Sequence, residues 1–523
     1  MRPVVSSNVS SPRPRPHATP LTAVAAAAGA AAPGAVASAT EVTGVCLDSR
    51  AVQHGDLYAA LPGAHAHGAA YAAGAVERGA VAVLTDPAGG TLLDAQGVPL
   101  PRLVVDDPRA VLGAVSSLVY GTADLALRLI GVTGTNGKTT TAHLVRSALV
   151  ALGHTTGLIG TVETRIGDER VKSVRTTPET TDLHALLAVM AERGVDSCVM
   201  EVSSHALELH RVDGVVYDVA LFTNLSQDHL DFHPGMREYF LAKASLFTPE
   251  RSRRGIVCVD DEWGQELVGL ASVPVTSVSS RPEVPADWRL VADRSDPMDF
   301  TLSDGTTTLS LHSALPGDFN RVNTALAALA LLSTGVPAGQ VELACAADPH
   351  VPGRMEPVTV DSGEGLPRVV VDYAHTPEAV ASALQALRST TPGALVVVVG
   401  AGGDRDRGKR GPMGRAAAEH ADIVFVTDDN PRSEEPGAIR AALLEGARSA
   451  GTGVALHDVD RRSAAISQAV AAAHAAGPGS TVAVVGKGHE TGQEIAGTTY
   501  PFDDREEVRK ALHQLIGTHE VGA

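Results

Sequence analysis

The chain has 523 residues, of which 60 are acidic and 42 are basic. The resulting formal net charge of −18 excludes a general nucleic-acid binder, which needs a basic surface. The length exceeds what one hydrophobic core supports, so we expect about two to four domains. No apolar run reaches the roughly 18 residues that a membrane-spanning helix requires.

The first residues differ in composition from the rest of the chain. Residues 1–19 are rich in Pro and Ser and are predicted to form a disordered tail. The Ala-rich stretch 21–39 loosely resembles a secretory signal, but it lacks a Leu-rich centre and is interrupted by Pro33, so we expect no export. The four cysteines are scattered without a C-x-x-C pair, which predicts small buried thiols and a reducing cytoplasm.

Short apolar runs alternate with helical patterns from residue 43 to residue 119, which predicts a small N-terminal α/β domain at 20–124. The predicted strands are 43–47, 57–60, 81–84 and 103–105.

The central domain, predicted at 125–350, opens with the most informative segment of the chain. Residues 131–140 follow an apolar run and precede a helical pattern, the arrangement in which backbone N–H groups bind phosphates. Lys138 would reach the terminal phosphates, and Thr139 would offer a hydroxyl to Mg²⁺. The segment departs from strict P-loop spacing at Val132, and the alternative is a Gly-rich turn without a ligand. We predict a nucleoside-triphosphate site.

Further strands of the central domain are predicted at 156–159, 197–202, 219–222 and 255–259, followed by a β-meander at 281–311 and a helix at 320–332. Strands separated by helices predict a mostly parallel sheet that binds ligands at the strand C-termini. Glu201 lies at such a strand end and is placed to hold Mg²⁺.

Two other features of the central domain carry polar groups. The segment 223–233 is dense in carboxylates and imidazoles, which predicts a metal or phosphate site, with a solvated polar loop as the alternative. Lys243 lies in an apolar helix, where a lysine is by default a surface residue with an exposed ammonium group.

The third domain, predicted at 351–523, is a second doubly wound α/β unit with helices at 377–387 and 437–450. Its predicted strands are 369–372, 395–399, 423–426 and 481–485. The polar clusters that follow these strands are 372–377, 402–406, 428–432 and 486–490. Four such strand ends define one crevice, and mixed Asp, Glu and Arg suit a zwitterionic amino acid.

Together these motifs resemble the Mur ligase family of ATP-dependent amide-bond-forming enzymes, from about residue 43 to the end of the chain. The motifs that carry the resemblance are 47–50 with 55–57, 134–140, 176–178, 201–207, 228–231 and 429–432. The resemblance implies an α/β fold of three domains: a small N-terminal domain that binds the UDP-sugar, a central P-loop-type parallel-sheet domain that binds ATP, and a C-terminal Rossmann-like domain that binds the incoming amino acid.

The activity implied by the resemblance is addition of diaminopimelate to the D-Glu side-chain carboxylate of UDP-MurNAc-L-Ala-D-Glu through an acyl phosphate. This reaction belongs to peptidoglycan precursor synthesis and uses ATP and Mg²⁺. The alternatives are L-lysine or a folate polyglutamate as acceptor, or a regulator that binds nucleotide without catalysis. The meso and LL isomers of diaminopimelate are both left open. We expect a cytoplasmic monomer that binds no nucleic acid and does not insert into membranes.

The resemblance also implies roles for single residues. The residues implied in catalysis are Lys138, Glu201, His229 and Lys243. The residues implied around ATP are Gly134, Thr135, Asn136, Gly137, Lys138, Thr139, Thr140, Asn320, Asn323, Arg354, Asp372 and His375. The residues implied around the UDP-MurNAc dipeptide are Ser49, Thr176, Thr177, Ser203 and Arg211. The residues implied around diaminopimelate are Arg405, Asp429, Asn430, Pro431, Arg432, Gly486 and Glu490. The implied metal ligands are Thr139, Glu201, His229 and Lys243, the last as N6-carboxylysine, in which carbamylation turns a cation into an anionic oxygen ligand.

Overall fold

Three β-sheets of four, eleven and six strands follow one another along the chain, each flanked by helices, and two further pairs of strands accompany them. The computed structural model describes residues 12–31, 39–171, 175–361 and 365–521, and for 517–521 only the backbone. Each large sheet lies within one of the predicted domains. The predicted three-domain α/β class is confirmed.

The N-terminal domain contains a parallel four-stranded sheet in the order β3-β4-β5-β6. Its elements are β1 (Thr19–Pro20), α1 (Leu21–Ala27), β2 (Glu41–Val42), β3 (Gly44–Cys46), β4 (Asp56–Ala60), α2 (Ala72–Glu77), β5 (Ala82–Thr85), α3 (Pro87–Gln96), β6 (Arg102–Val104) and α4 (Leu112–Tyr120). Helix α3 has clear end signals: the Asp86 side chain accepts a hydrogen bond from the Gly89 N–H, and Gly97 ends the helix in the left-handed conformation.

The predicted disordered tail extends too far along the chain. Residues 1–11 lie outside the described residues, but Arg13 forms an ion pair of 2.5 Å with the buried Asp56, and the Arg15 N–H donates to Glu192. Thr19 pairs with Val42 in an antiparallel ladder. These contacts correct the prediction for residues 12–19. Local composition does not show that Arg13 pairs with a buried carboxylate 43 residues further along the chain.

The central domain is built on the eleven-stranded sheet, in the order β10-β9-β8-β11-β7-β12-β13-β14-β15-β16-β17. Its elements are β7 (Arg128–Thr133), α5 (Lys138–Ala151), β8 (Thr156–Ile159), β9 (Thr164–Ile166), β10 (Glu169–Val171), α6 (Thr180–Glu192), β11 (Ser197–Glu201), α7 (Ser204–Glu208), β12 (Val219–Phe222), α8 (Met236–Ala244), β13 (Gly255–Cys258), α9 (Glu262–Leu270), β14 (Val275–Ser279), β15 (Trp288–Ala292), β16 (Asp299–Ser303), β17 (Thr308–His312), α10 (Asp318–Ser333) and α11 (Ala338–Cys345).

Strand β7 lies between β11 and β12, and all three are parallel. Side chains from both faces of β7 are buried, Ile130 in the core under α5 and α10 and Leu129 in the core under α6 and α8. Burial on both faces explains why these strands appear as continuous apolar runs in the sequence. The arrangement brings the loop after β7 beside the ends of both neighbouring strands.

The C-terminal domain contains a six-stranded sheet in the order β18-β19-β23-β20-β21-β22. Its elements are β18 (Glu356–Val358), β19 (Arg368–Asp372), α12 (Pro377–Arg388), β20 (Leu395–Val399), α13 (Arg410–His420), β21 (Ile423–Thr427), α14 (Pro436–Ser449), β22 (Ala455–Val459), α15 (Arg462–Ala475), β23 (Thr481–Val485), β24 (Gly492–Ile495), β25 (Thr498–Pro501) and α16 (Asp504–Val521). Strands β19, β23, β20 and β21 are neighbours and parallel, so their C-terminal ends meet at one edge.

The four cysteines are buried with free thiols, as predicted. Within the described residues, no helix combines the length and the apolar character needed to cross a bilayer.

Candidate active site

The loop between β7 and α5, residues 134–137, has the geometry of a phosphate-binding loop. Gly134 and Gly137 have φ angles of 142° and 86°, and a Cβ at either position would overlap a neighbouring side chain. Lys138 begins α5, and its Nζ donates to the carbonyl oxygens of Gly134 and Thr135, both at 2.8 Å. Its ammonium group therefore lies across the mouth of the loop, where phosphates would bind.

Glu201, at the end of β11, lies beside this loop and is buried. Its Oε2 accepts a hydrogen bond from the Thr139 hydroxyl at 2.9 Å, and its Oε1 accepts from the Thr161 N–H at 2.7 Å. Thr161 also donates to Thr176 at 2.9 Å. Thr161 was missed by the sequence analysis, because a single Thr after a short strand carries no motif.

Lys243 lies in α8 and is 1% exposed, which corrects the default expectation of a surface lysine. Its Nζ donates to the Gly134 carbonyl oxygen at 2.8 Å and lies 4.6 Å from the centre of the Tyr239 ring. Burial, aided by the charge of Lys138, lowers the pKa of Lys243 well below its ordinary value. The neutral amine is therefore readily accessible at this position.

His229 adopts a left-handed conformation with a φ of 56°, and burial lowers its pKa to about 3. Its Nε2 lies 3.5 Å from Oδ2 of Asp228. Asp228 also faces two groups of the C-terminal domain, His375 at 3.7 Å and Lys409 at 3.6 Å. Burial would raise the pKa of Asp228, but the contact with His375 and the nearby positive charges lower it instead.

Asp228 and Lys409 were not among the predicted site residues, although Asp228 lies inside a predicted motif. The available signal was the basic run 407–410, which follows a predicted strand-end cluster. Sequence alone does not show that this run faces an acid from another domain.

A cavity of about 410 Å³ opens beside the phosphate loop, between the central and C-terminal domains. The residues predicted around ATP that line it are Asn136, Gly137, Thr140, Asn320, Asn323, Arg354 and Asp372. Arg354 donates to the Thr139 hydroxyl at 3.1 Å and lies over the Tyr373 ring. The Asp372 carboxylate accepts from the backbone N–H groups of Met355 and Ala374. The site is therefore shared between two domains.

The residues predicted around the UDP-MurNAc dipeptide lie in the central and N-terminal domains. Thr177 donates to the Glu201 carbonyl oxygen and accepts from the Ser203 N–H, which places both beside the phosphate loop. Arg211 contacts Glu179 at 2.9 Å, and Arg109 and Arg175 contact the same carboxylate. Ser49 lies in the N-terminal domain, in the loop that follows β3. A substrate that touches all of them would span two domains.

The residues predicted around diaminopimelate lie in loops at one edge of the C-terminal sheet, where β19, β23, β20 and β21 end. We call these loops, residues 372–377, 402–406, 428–432 and 486–490, the C-terminal crevice. A Cβ on Gly402 would lie 2.8 Å from Arg432 Nη1 and 3.8 Å from Arg405 Cγ, so both arginines approach the same glycine. Asn430 donates to Glu490 at 2.8 Å. A Cβ on Gly486 would lie 2.6 Å from Asp429 Oδ2, and Pro431 links Asn430 to Arg432. The crevice thus holds cationic and anionic groups together.

Within the described residues, no group of three or more His, Cys, Asp and Glu side chains is arranged to hold a metal ion by itself. The Thr139 hydroxyl and the Glu201 carboxylate nevertheless offer adjacent oxygen atoms beside the phosphate loop. Such a pair fits Mg²⁺, which binds through one or two carboxylates together with water and substrate phosphates.

Comparison with known protein families identifies all three parts of the chain. Residues 41–120 match the Mur ligase family catalytic domain, residues 132–332 the Mur ligase middle domain, and residues 353–488 the Mur ligase glutamate ligase domain. The chain belongs to the Mur ligase family. It is therefore an enzyme, an ATP-dependent ligase that forms amide bonds.

Within the family, two relatives of the same name are similar to this chain over nearly its whole length. It is 52% identical over 516 residues to the UDP-N-acetylmuramoyl-L-alanyl-D-glutamate--2,6-diaminopimelate ligase of Streptomyces coelicolor, with 97% of this chain and 99% of that protein covered. The ligase of the same name from Corynebacterium efficiens is 47% identical, with 90% of each chain covered.

Solved structures show the same fold. A UDP-N-acetylmuramoyl-L-alanyl-D-glutamate--2,6-diaminopimelate ligase, 30% identical, superposes with a TM-score of 0.62 and covers 91% of this chain and 95% of that one. MurF from Acinetobacter baumannii has a TM-score of 0.63 at 18% identity, with 95% and 98% covered, which supports the fold alone.

Proposed function

We propose that this chain adds diaminopimelate to the D-Glu side-chain carboxylate of UDP-MurNAc-L-Ala-D-Glu, with ATP as the energy source, in peptidoglycan precursor synthesis. The observation that carries the proposal is the C-terminal crevice, whose loops carry cations and acids together: Arg405 and Arg432 approach Gly402, Asp429 approaches Gly486, and Glu490 accepts from Asn430. Such a crevice suits an amino acid with two carboxylates and two ammonium groups, because guanidinium groups bind carboxylates and carboxylates accept from ammonium groups. The relatives named above support the same acceptor.

Each domain contributes to the binding of a different substrate. The N-terminal domain, with Ser49, binds the uridine half of the sugar nucleotide, and the residues near Thr177 and Arg211 bind its dipeptide. The cavity between the central and C-terminal domains binds ATP. The C-terminal crevice binds the incoming diamino acid.

The reaction proceeds in two steps. The D-Glu carboxylate oxygen attacks the γ-phosphorus of ATP, so that ADP leaves and an acyl phosphate forms. The diaminopimelate amine then attacks the acyl carbon, the tetrahedral intermediate collapses, and phosphate leaves with the C–O bonding pair. Lys138 neutralises the charge that develops on the transferred phosphoryl group, and Arg354, beside Thr139, is placed to do the same.

Thr139 and Glu201 would hold one Mg²⁺, and His229 with Lys243 as N6-carboxylysine would hold a second. When bound, these ions neutralise phosphate charge and orient the phosphates. The buried Lys243 supports this assignment, since a lysine amine with a lowered pKa is the form that reacts with carbon dioxide.

The proposal further implies a cytoplasmic enzyme, because ATP and a UDP-linked sugar are substrates of the cell interior. We propose that it acts as a monomer.

The decisive measurement is phosphate release from ATP by the purified protein with UDP-MurNAc-L-Ala-D-Glu, to which meso-diaminopimelate, LL-diaminopimelate or L-lysine is added in turn. We expect release with one diaminopimelate isomer and little with lysine. Release driven mainly by lysine would contradict the acceptor, and no release with any of the three would contradict the proposed function.

A further inference from the structure

Lys487 lies in the 486–490 loop of the C-terminal crevice, two residues after the end of β23. It is 0% exposed and is one of the largest fully buried side chains of the described residues. Buried lysines are rare unless their charge is paired, so its surroundings require an explanation.

The ammonium group of Lys487 contacts three side chains of the crevice. Its Nζ donates to Asn430 Oδ1 and to Glu490 Oε2, each at 3.0 Å, and lies 3.9 Å from Asp429 Oδ1. One buried cation therefore lies between two carboxylates. Glu490 is partly exposed to the crevice, with 31% of its side chain accessible, whereas Lys487 lies behind it.

These contacts also determine how Asn430 is oriented. Its Oδ1 accepts from Lys487 and from the Glu494 N–H at 3.0 Å, so its amide nitrogen points to Glu490 Oε2 at 2.8 Å. Glu490 is held through this one oxygen by two donors. Its other oxygen, Oε1, is the atom through which Glu490 would meet a ligand.

The charge of Lys487 bears on which amino acid fits. The far end of diaminopimelate carries an ammonium and a carboxylate and is neutral overall, whereas the far end of lysine carries an ammonium alone. A crevice without Lys487 would be more negative by one unit, which favours the cationic end of lysine.

We propose that Lys487 is a positioning residue that makes the crevice select a diamino acid with a second carboxylate over lysine. Its positive charge offsets the negative charges of Asp429 and Glu490, and its hydrogen bond to Oδ1 fixes the orientation of the Asn430 amide. This inference rests on the proposed function.

The test compares kcat/KM for diaminopimelate with kcat/KM for L-lysine in wild type, Lys487→Met and Lys487→Arg. We expect Lys487→Met to lower the ratio of kcat/KM for diaminopimelate to kcat/KM for L-lysine by at least about tenfold. The loss should come mainly through the KM for diaminopimelate, because the buried cation that contacts Glu490 is lost. Lys487→Arg keeps the charge and should retain most of the selectivity. The matched control is Lys510→Met in α16, whose side chain is 63% exposed and whose substitution should leave the ratio unchanged.

A second comparison covers the case in which Lys487→Met alone fails to fold. Glu490→Gln and the double variant Lys487→Met with Glu490→Gln differ at residue 487 alone. The double variant leaves one fewer carboxylate without its cation than Lys487→Met does. We expect the double variant to be the more tolerant of lysine. An equal ratio in either pair of folded proteins overturns the role of Lys487. A wild type that does not use diaminopimelate overturns the proposed function instead.

Discussion

Two lysines meet at the carbonyl oxygen of Gly134, and they differ in what surrounds them. Lys138 and Lys243 both donate to this oxygen at 2.8 Å. Lys138 also reaches the Thr135 carbonyl oxygen, whereas Lys243 lies against the face of Tyr239. Burial lowers the pKa of both lysines. The charge of Glu201 counters this effect at Lys138, whereas the charge of Lys138 lowers the pKa of Lys243 further. The two side chains therefore suit different tasks, one as a cation at the phosphates and the other as a reactive amine.

Lys243→Ala is expected to reduce kcat by at least about 10²–10³-fold, the usual cost of removing one electrostatic element of an active site. The thermal unfolding midpoint should fall little, because the lysine contributes a charge that is costly to bury. Protein incubated with ¹³C-bicarbonate should show a carbamate carbon resonance in wild type and lose it in the variant. Lys510→Ala serves as the control. Unchanged turnover would remove Lys243 from the mechanism.

At the scale of elements, one buried ion pair joins three of them beside the C-terminal crevice. Arg462, the first residue of α15, contacts Asp504, the first residue of α16, through two hydrogen bonds of 2.7 Å. The same guanidinium donates to the Val485 carbonyl oxygen at the end of β23. Both charged side chains are completely buried. The pair holds the strand end that precedes Gly486.

Arg462→Met should lower the free energy of unfolding of the C-terminal domain by about 3–5 kcal/mol, because Asp504 is left buried without its partner. The double variant Arg462→Met with Asp504→Leu should recover much of this loss, since no unpaired charge remains. Denaturant unfolding of the three proteins measures the difference. A single variant as stable as wild type would show that the pair contributes nothing.

Another element-scale contact joins α6 to the chain segment between the first two sheets. His184 is completely buried; its Nε2–H donates to the Asp213 carbonyl oxygen at 3.0 Å, and its Nδ1 accepts from Thr122 at 2.5 Å. Burial lowers its pKa from 6.5 to about 4. Between these two pH values the unfolded chain binds a proton that the folded chain does not.

The free energy of unfolding should therefore fall as the pH decreases from 6.5 to 4, and His184 should contribute up to about 3 kcal/mol to that decrease. His184→Gln keeps polar atoms at the site but does not titrate, so its stability should depend less steeply on pH. Unfolding midpoints at both pH values measure the slope, with the exposed His54→Gln as control. Equal slopes in wild type and His184→Gln would show that His184 is not the titrating group.

Sequence patterns predicted the elements that have strong local signals. They missed an edge strand without an apolar run and a contact between residues that are distant in sequence. The predicted strand 395–399 coincides with β20, because an unbroken aliphatic run suits a strand buried on both faces. The edge strand β22 was missed, since its side chains are largely accessible and lack an apolar run. Asp228 was not recognised as a contact between domains, because its partners are about 150 and 180 residues away, beyond the reach of any local pattern.

At the scale of the whole molecule, Asp228 connects the central and C-terminal domains. The loop after β12 carries it, and its carboxylate faces His375 after β19 and Lys409 before α13. Lys409 and Asp228 are both buried, so water cannot readily solvate either charge if the other is removed. The neighbouring Gln227 donates to Asp406 at 3.3 Å. The contacts hold the crevice of one domain against the phosphate loop of the other.

Asp228→Asn is expected to loosen this contact between domains, because it removes the carboxylate that faces His375 and Lys409 and leaves Lys409 buried without an ion-pair partner among the described residues. The KM values for ATP and for diaminopimelate should both rise, by about tenfold or more, since each site needs the two domains together. Small-angle X-ray scattering should show a larger radius of gyration for the variant than for wild type. Asp299→Asn on β16 is a suitable control, because its half-exposed carboxylate pairs only with His312 among the described side chains. A variant with raised KM values but an unchanged radius of gyration would show that Asp228 acts locally on the substrates and does not hold the domains together.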